Sequence, residues 1–217
     1  LVCHGYTSKA KHMAGFVNKF YSLGYNVLAA DARAHGDSEG TKIGMGWPER
    51  FDVIKWIKLI ISWDSNAQII LHGVSMGAAT VLMASGEELP ENVKAIIADC
   101  GYTSEWDEFK CEANALHIPW FPVLNAASVM SRLRDGYDFK QASALEKVKQ
   151  SRIPTLFIHG SDDELVPYSM LDKLYSAAAC EKECLTVNGA GHALSSSVEP
   201  ELYWNTVENF IEKYLEK

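Results

Sequence analysis

No apolar run in this chain approaches the ~20 residues that a membrane-spanning helix needs. The longest candidate, Val53 to Trp63, is broken by Lys55 and Lys58 and reads as an amphipathic helix. A basic stripe is also lacking. Twenty Lys and Arg stand against 28 Asp and Glu, for a net charge of −8, and this balance argues against nucleic acid and anionic membrane surfaces as partners. The five cysteines (Cys3, Cys100, Cys111, Cys180 and Cys184) are odd in number and scattered, so no disulfide framework is expected. Cys180 and Cys184 lie four apart, but no His or Cys pair stands nearby to complete a zinc site. Free thiols and no metal are the expectation, and the thiols weakly favour a reducing, cytoplasmic compartment. Internal repeats and low-complexity segments are missing too. No Met opens the chain, and Leu1-Val2-Cys3-His4-Gly5 reads as the tail of a buried strand. Residues upstream, with any signal or anchor they carry, are therefore expected in the natural protein.

What is present is enough for one globular domain: 217 residues, 47% of them hydrophobic. Apolar runs of strand length (1–4, 26–30, 67–72, 93–99, 155–159, 183–187) alternate with helical patterns (9–23, 48–63, 76–85, 168–179, 200–215). The strands are rich in Val, Ile and Leu without alternation, which implies burial on both faces. The expected fold class is therefore α/β, a mostly parallel central sheet with helices on both faces. Residues 101–150 break the rhythm with Tyr102, Trp106, Phe109, Trp120, Phe121, Tyr137 and Phe139, and with Pro119 and Pro122. This stretch is too long for a connecting loop and reads as a small helical cap inserted in a core of 1–100 and 151–217.

Gly73-Val74-Ser75-Met76-Gly77 is the most informative segment. It follows an apolar run, opens a small-residue helix, and has the form of a nucleophile elbow with Ser75 at the apex. Open parallel sheets bind ligands beyond the carboxyl ends of their strands. Ser75, Asp163 and His192 each follow such an end, in the chain order Ser, Asp, His. A serine hydroxyl needs a base to take its proton, histidine titrates in the useful range, and a carboxylate behind the ring fixes its tautomer. The amides of Met76, at the helix start, and Tyr6, in the turn after His4-Gly5, can hold an oxyanion.

These stretches, together with Asp31-Ala32-Arg33-Ala34-His35-Gly36-Asp37-Ser38, His159 to Pro167 and Gly189-Ala190-Gly191-His192, resemble the α/β-hydrolase fold serine hydrolases. The likeness is to bacterial esterase- and lipase-like members near the prolyl oligopeptidase-type group, and it runs from residue 1 to about His192. It implies Ser75 as nucleophile, His192 as base, Asp163 as acid, and Tyr6 and Met76 as oxyanion amides, with no cofactor. The family's first two strands have no counterpart downstream of Leu1.

Rivals exist at each position. Asp162 adjoins Asp163, but the spacing to Val166-Pro167 favours Asp163. Asp99 ends a strand where some relatives of the fold place their acid. His4, His35, His72 and His159 are expected to hydrogen-bond loops around the site, Arg33 and Asp37 to stabilise a local turn, and Lys140, Lys147 and Lys149 to form a solvated face. Cys100, at a strand end, has no histidine assignable by spacing. Trp106, Trp120 and Phe121 are the candidates for substrate contact. The expected activity is cleavage of a small carboxylic ester through an acyl-enzyme. A peptidase or thioesterase on the same machinery, or a non-catalytic ligand-binding homologue, is the alternative.

Overall fold

Unbroken runs of branched apolar residues need cover on both sides, and the chain supplies it with helices between successive strands. The computed structural model describes residues 1–215. In chain order the elements are β1 (Val2–Cys3), a 3₁₀ turn (Ala10–Met13) leading into α1 (Ala14–Ser22), α2 (Glu49–Trp63), β2 (Ile69–Val74), α3 (Met76–Ser85) and β3 (Val93–Asp99). There follow α4 (Glu105–Ala115), α5 (Trp120–Asp135), α6 (Ala144–Val148), β4 (Thr155–Gly160), α7 (Ser169–Ala177), β5 (Lys182–Val187), α8 (Ser195–Val198) and α9 (Pro200–Glu212). Among the described residues these strands form one open sheet in the order β1-β2-β3-β4-β5, and every neighbouring pair is parallel.

The two faces bury separate cores. Leu71, Ile96, Ala98 and Phe157 point to one side, under α2, α3, α6 and α7. Ile70, Ala95, Ile97, Leu156 and Ile158 point to the other, under α1 and α9. Alternate residues of a strand serve opposite cores, which is why the sequence shows continuous rather than alternating hydrophobicity. Helix α3 is buried along its whole length, as its run of Ala, Val, Leu and Met requires.

One expected strand is reduced. Residues 26–30 form a single parallel bridge, Ala29 to Val2, with Val2 N–H donating to the Leu28 carbonyl at 2.8 Å. The apolar pattern there is sound, but β1 is two residues long and offers little edge to pair with. Residues 101–150 contain α4, α5 and α6. Ser104 and Ser143 cap α4 and α6 by accepting from the Asp107 and Glu146 amides, and Gly136 ends α5 in the left-handed conformation.

Register brings the strand ends level. Val74 pairs with Asp99, Asp99 with Ile158, and Gly160 with Val187. The loops that leave β2, β4 and β5 therefore emerge side by side.

Candidate active site

Ser75 sits between β2 and α3 with φ 56° and ψ −118°, a conformation that L residues rarely adopt. Its amide donates to the Asp99 carbonyl at 2.9 Å and its carbonyl accepts from Ala79 at 3.0 Å, so both flanking elements hold the strain in place. The surrounding glycines are dictated by close approach. A methyl group on Gly73 would overlap the Gly77 carbonyl, and one on Gly77 would overlap the Cys3 carbonyl of the adjoining strand. The strand, the turn and the helix can meet this closely only without side chains at those two positions.

The loop after β5 carries His192 back over the serine. Its Nε2 lies 2.8 Å from Ser75 Oγ and its Nδ1 lies 2.8 Å from Asp163 Oδ2. Asp163 Oδ1 accepts from the amides of Leu165 (3.0 Å) and Val166 (2.9 Å). Burial would raise this carboxyl. Hydrogen bonds from His159 and His192, and from the Val166 amide, outweigh burial and hold it well below the usual carboxylate range. An ionised Asp163 only accepts, so Nδ1 of His192 carries the proton and Nε2 is free to accept from the serine hydroxyl.

The strand-end histidine His159 is wholly buried. Its Nε2 lies 2.9 Å from the Val166 carbonyl and 3.2 Å from Asp163 Oδ2. Both neighbours are acceptors, so Nε2–H is shared between them. The sequence signal for this contact is slight: a histidine four residues before an acid across a turn.

Gly5 packs against the serine, its missing Cβ position lying 3.3 Å from Ser75 Cβ. The next amide, that of Tyr6, therefore begins beside the hydroxyl. Met76 is the first residue of α3, where a helix leaves amides without an intrahelical acceptor. The turn at residues 4–7 is fixed by two histidines. His4 Nε2 accepts from the Ala32 amide (2.9 Å) and His35 Nε2 from the Thr7 amide (3.2 Å), with the two rings edge to face at 5.0 Å.

The remaining candidates fall elsewhere. Asp162 is exposed and takes its hydrogen bond from Ser161. Asp99 is fully buried at the end of β3, and neither of its carboxylate oxygens has a partner in hydrogen-bonding geometry. Burial raises it to about 6, against the lowering effects of the Tyr203 hydroxyl, His159 and His192 and with a further rise from Asp163. His72 departs from expectation. It shares the strand face of Ile70 and Val74, so it points into the core under α1 and α9, with Phe16 at 4.8 Å and the Tyr203 hydroxyl 3.0 Å from its Nε2.

Cys100 Sγ lies within 4.8 Å of the ligand atoms of Asp163 and His192. Burial, with Asp99 and Asp163 adding to it, pushes its thiol well above the ordinary range, so it stays protonated. Both nitrogens of His192 are already engaged. All five cysteines are free.

Arg33 departs from the local turn expected of it and pairs with Asp52 on α2 at 2.6 Å. Asp31 fixes that turn instead, accepting from the amides of Ala10 and Asp37. Lys147 is not on a solvated face but paired with Glu87 at 2.8 Å. Trp106 and Trp120 pack edge to face at 6.4 Å, each beneath a lysine, Lys140 and Lys110 respectively. Phe121, beside Trp120, is 65% exposed. Sequence reasoning also passed over Glu105 and Glu108 at the start of α4, both buried and each with one unpartnered oxygen. Burial, with neighbouring acids, raises both to about 8.

An open parallel sheet with helices on both faces, and a strained serine beside histidine and aspartate at its carboxyl edge, define an α/β-hydrolase of the serine hydrolase type. A family model described as serine aminopeptidase, S33, matches residues 1–143, and the chain belongs to that family. The Bacillus subtilis protein YqkD is 30% identical over 98% of this chain and 70% of its own length. The lysophosphatidylserine lipase ABHD12 of Macaca fascicularis is 31% identical over 80% of this chain, which spans 43% of that protein. The solved structure of the Pyrococcus furiosus esterase Pf2001 is 26% identical, with a TM-score of 0.78 over 99% of this chain and 81% of that one. No helix among the described residues is long and apolar enough to cross a membrane.

Proposed function

We propose that the protein hydrolyses carboxylic esters through an acyl-enzyme formed on Ser75. The observation that carries this reading is the continuous pair of 2.8 Å contacts from Ser75 Oγ through His192 to Asp163, built on a serine held at positive φ. Ser75 Oγ attacks the carbonyl carbon while His192 Nε2 takes its proton, and the amides of Tyr6 and Met76 receive the developing oxyanion. The tetrahedral intermediate then collapses, the ester C–O bond breaks, and the alcohol leaves with the proton from His192. Water repeats the sequence on the acyl-enzyme, giving up its proton to His192, and releases the acid with Ser75 restored. No cofactor enters the cycle.

A core of 1–100 and 151–217 with a cap at 101–150 is the domain division that suits this chemistry. The cap's Trp106, Trp120 and Phe121 are the proposed contacts for the acyl group. The ester preference draws on the names of the relatives, an esterase and a lysophosphatidylserine lipase.

Intact-mass labelling with a fluorophosphonate tests the reading. One adduct per chain is expected, absent in Ser75→Ala, together with turnover of p-nitrophenyl acyl esters. An unlabelled folded protein sinks it. A labelled protein that cleaves aminoacyl amides in preference to esters would make it a peptidase.

A further inference from the structure

Helix α5 carries its apolar side outward. The stripe that meets the protein is Leu124, Ser128 and Ser131. Its two serines bond inward, Ser128 Oγ accepting from the Phe139 amide at 3.1 Å and Ser131 Oγ donating to the Tyr137 carbonyl at 2.9 Å. At about 100° per residue, Val123, Ala126, Val129, Met130 and Leu133 fall on the opposite arc. All are exposed, Val129 by 57%, Met130 by 60% and Leu133 by 77%. Leu116 and Ile118 extend the apolar surface through the α4–α5 turn. A contiguous apolar patch of this kind marks a surface that something covers.

Charge indicates what covers it. Between Glu112 and Asp135 there is no acidic residue, and the arc ends in Arg132 and Arg134, whose side chains are 73% and 67% exposed. Asp138 at 4.0 Å and Asp135 at 3.3 Å stand beside them, in pairs that leave most of each guanidinium in solvent, and Asp135 is shared with Lys42. Counted with Lys42, Asp135 and Asp138, the arginine end of α5 carries three cations against two carboxylates, a net +1, where the whole chain carries −8. A two-fold pairing of this face with itself would bring no carboxylate from between Glu112 and Asp135 against the arginines.

We propose that the outer face of α5 docks on an anionic lipid–water interface. The helix lies in the plane of the surface, with Val123 to Leu133 at the acyl boundary and Arg132 and Arg134 among the headgroups. The docking is independent of the hydrolytic reading, because binding needs no turnover.

Vesicle flotation with the full chain tests it. The protein is expected to float with phosphatidylcholine–phosphatidylglycerol vesicles, more weakly with phosphatidylcholine alone, and less as salt rises. Val129→Ser, Met130→Gln and Leu133→Ser combined should lower the bound fraction roughly tenfold or more. Arg132→Gln with Arg134→Gln should lower binding by a similar factor on anionic vesicles only. Both variants should melt like the parent, since these side chains are exposed. A parent protein that stays unbound with mixed vesicles overturns the proposal. So does a parent dimer in light scattering that the triple variant dissociates while neither protein floats, an outcome that makes the face a contact between copies. Flotation without any ester turnover leaves this proposal standing and removes the hydrolytic one.

Discussion

Ser75 concentrates a cost and a benefit in one backbone conformation. Holding a non-glycine residue at φ 56° and ψ −118° costs roughly 1–3 kcal/mol, and it aims Oγ at His192. Ser75→Gly should therefore raise stability by about 1 kcal/mol while abolishing turnover, as read by urea unfolding and an ester assay. A stability loss would show that the hydroxyl's own contact with His192 outweighs the strain. At Asp163, replacement by Asn removes the acceptor that sets the His192 tautomer. Turnover should fall by about 10⁴, the size of the equivalent effect in a protease triad, and the melting temperature at neutral pH should fall with it, because the ionised carboxylate and its bonds to His159 and His192 are lost. Near-full activity in that variant, with loss in Asp99→Asn, would move the acid to Asp99. That Ser75, His192 and Asp163 meet was legible in the sequence because each is a reactive type placed just past a strand end. His159 was less so. Its bond to Asp163 depends on the turn from Gly160 to Val166 folding back over the strand end, and residue spacing does not reveal that turn's shape.

Elements repeat the lesson in another form. The α3 boundaries read from the sequence, Met76 to Ser85, match the structure, because a short apolar run after a glycine-framed serine has no other place to go. The edge segment at 26–30 carried an equally clear pattern and formed one bridge, since pairing depends on the length of the neighbour as well as on the segment. Helix α5 shows a deeper limit. Periodicity reveals that a helix has an apolar arc and not which way the arc faces, and here it faces out. Contact between elements leaves no room for a methyl group at Gly77, which presses on the Cys3 carbonyl of β1. Gly77→Ala must push α3 from β1, at about 1–3 kcal/mol or more, and should weaken unfolding resistance and fluorophosphonate labelling together. Full stability in this variant would show that the close approach is slack.

For the whole molecule, buried carboxyls set the pH range of stability. Asp163 is held low in the fold, so its contribution is present above about pH 4 and is lost as pH falls below that. Asp99, raised to about 6, and Glu105 and Glu108, raised to about 8, act the other way. Their contributions are complete in acid below about 4 and are lost as pH rises through 6 and then 8. From these four groups the melting temperature should peak at about pH 4, decline through the neutral range and level off above about pH 8. Asp99→Asn with Glu105→Gln and Glu108→Gln should flatten the alkaline side. A melting temperature that rises steadily to pH 9 in the native protein would contradict this assignment.

The distance along the chain between the serine and its histidine has a kinetic meaning. Ser75 and His192 are 117 positions apart, and Asp163 stands 29 before His192, so the three meet only after β2, β3, β4 and β5 have lined up. Contacts that span so much chain form late in folding. During refolding from denaturant, helical signal should return first and probe reactivity at Ser75 last. The reactive centre is thus a gauge of completed assembly, silent in any partly folded species that lacks its final strand.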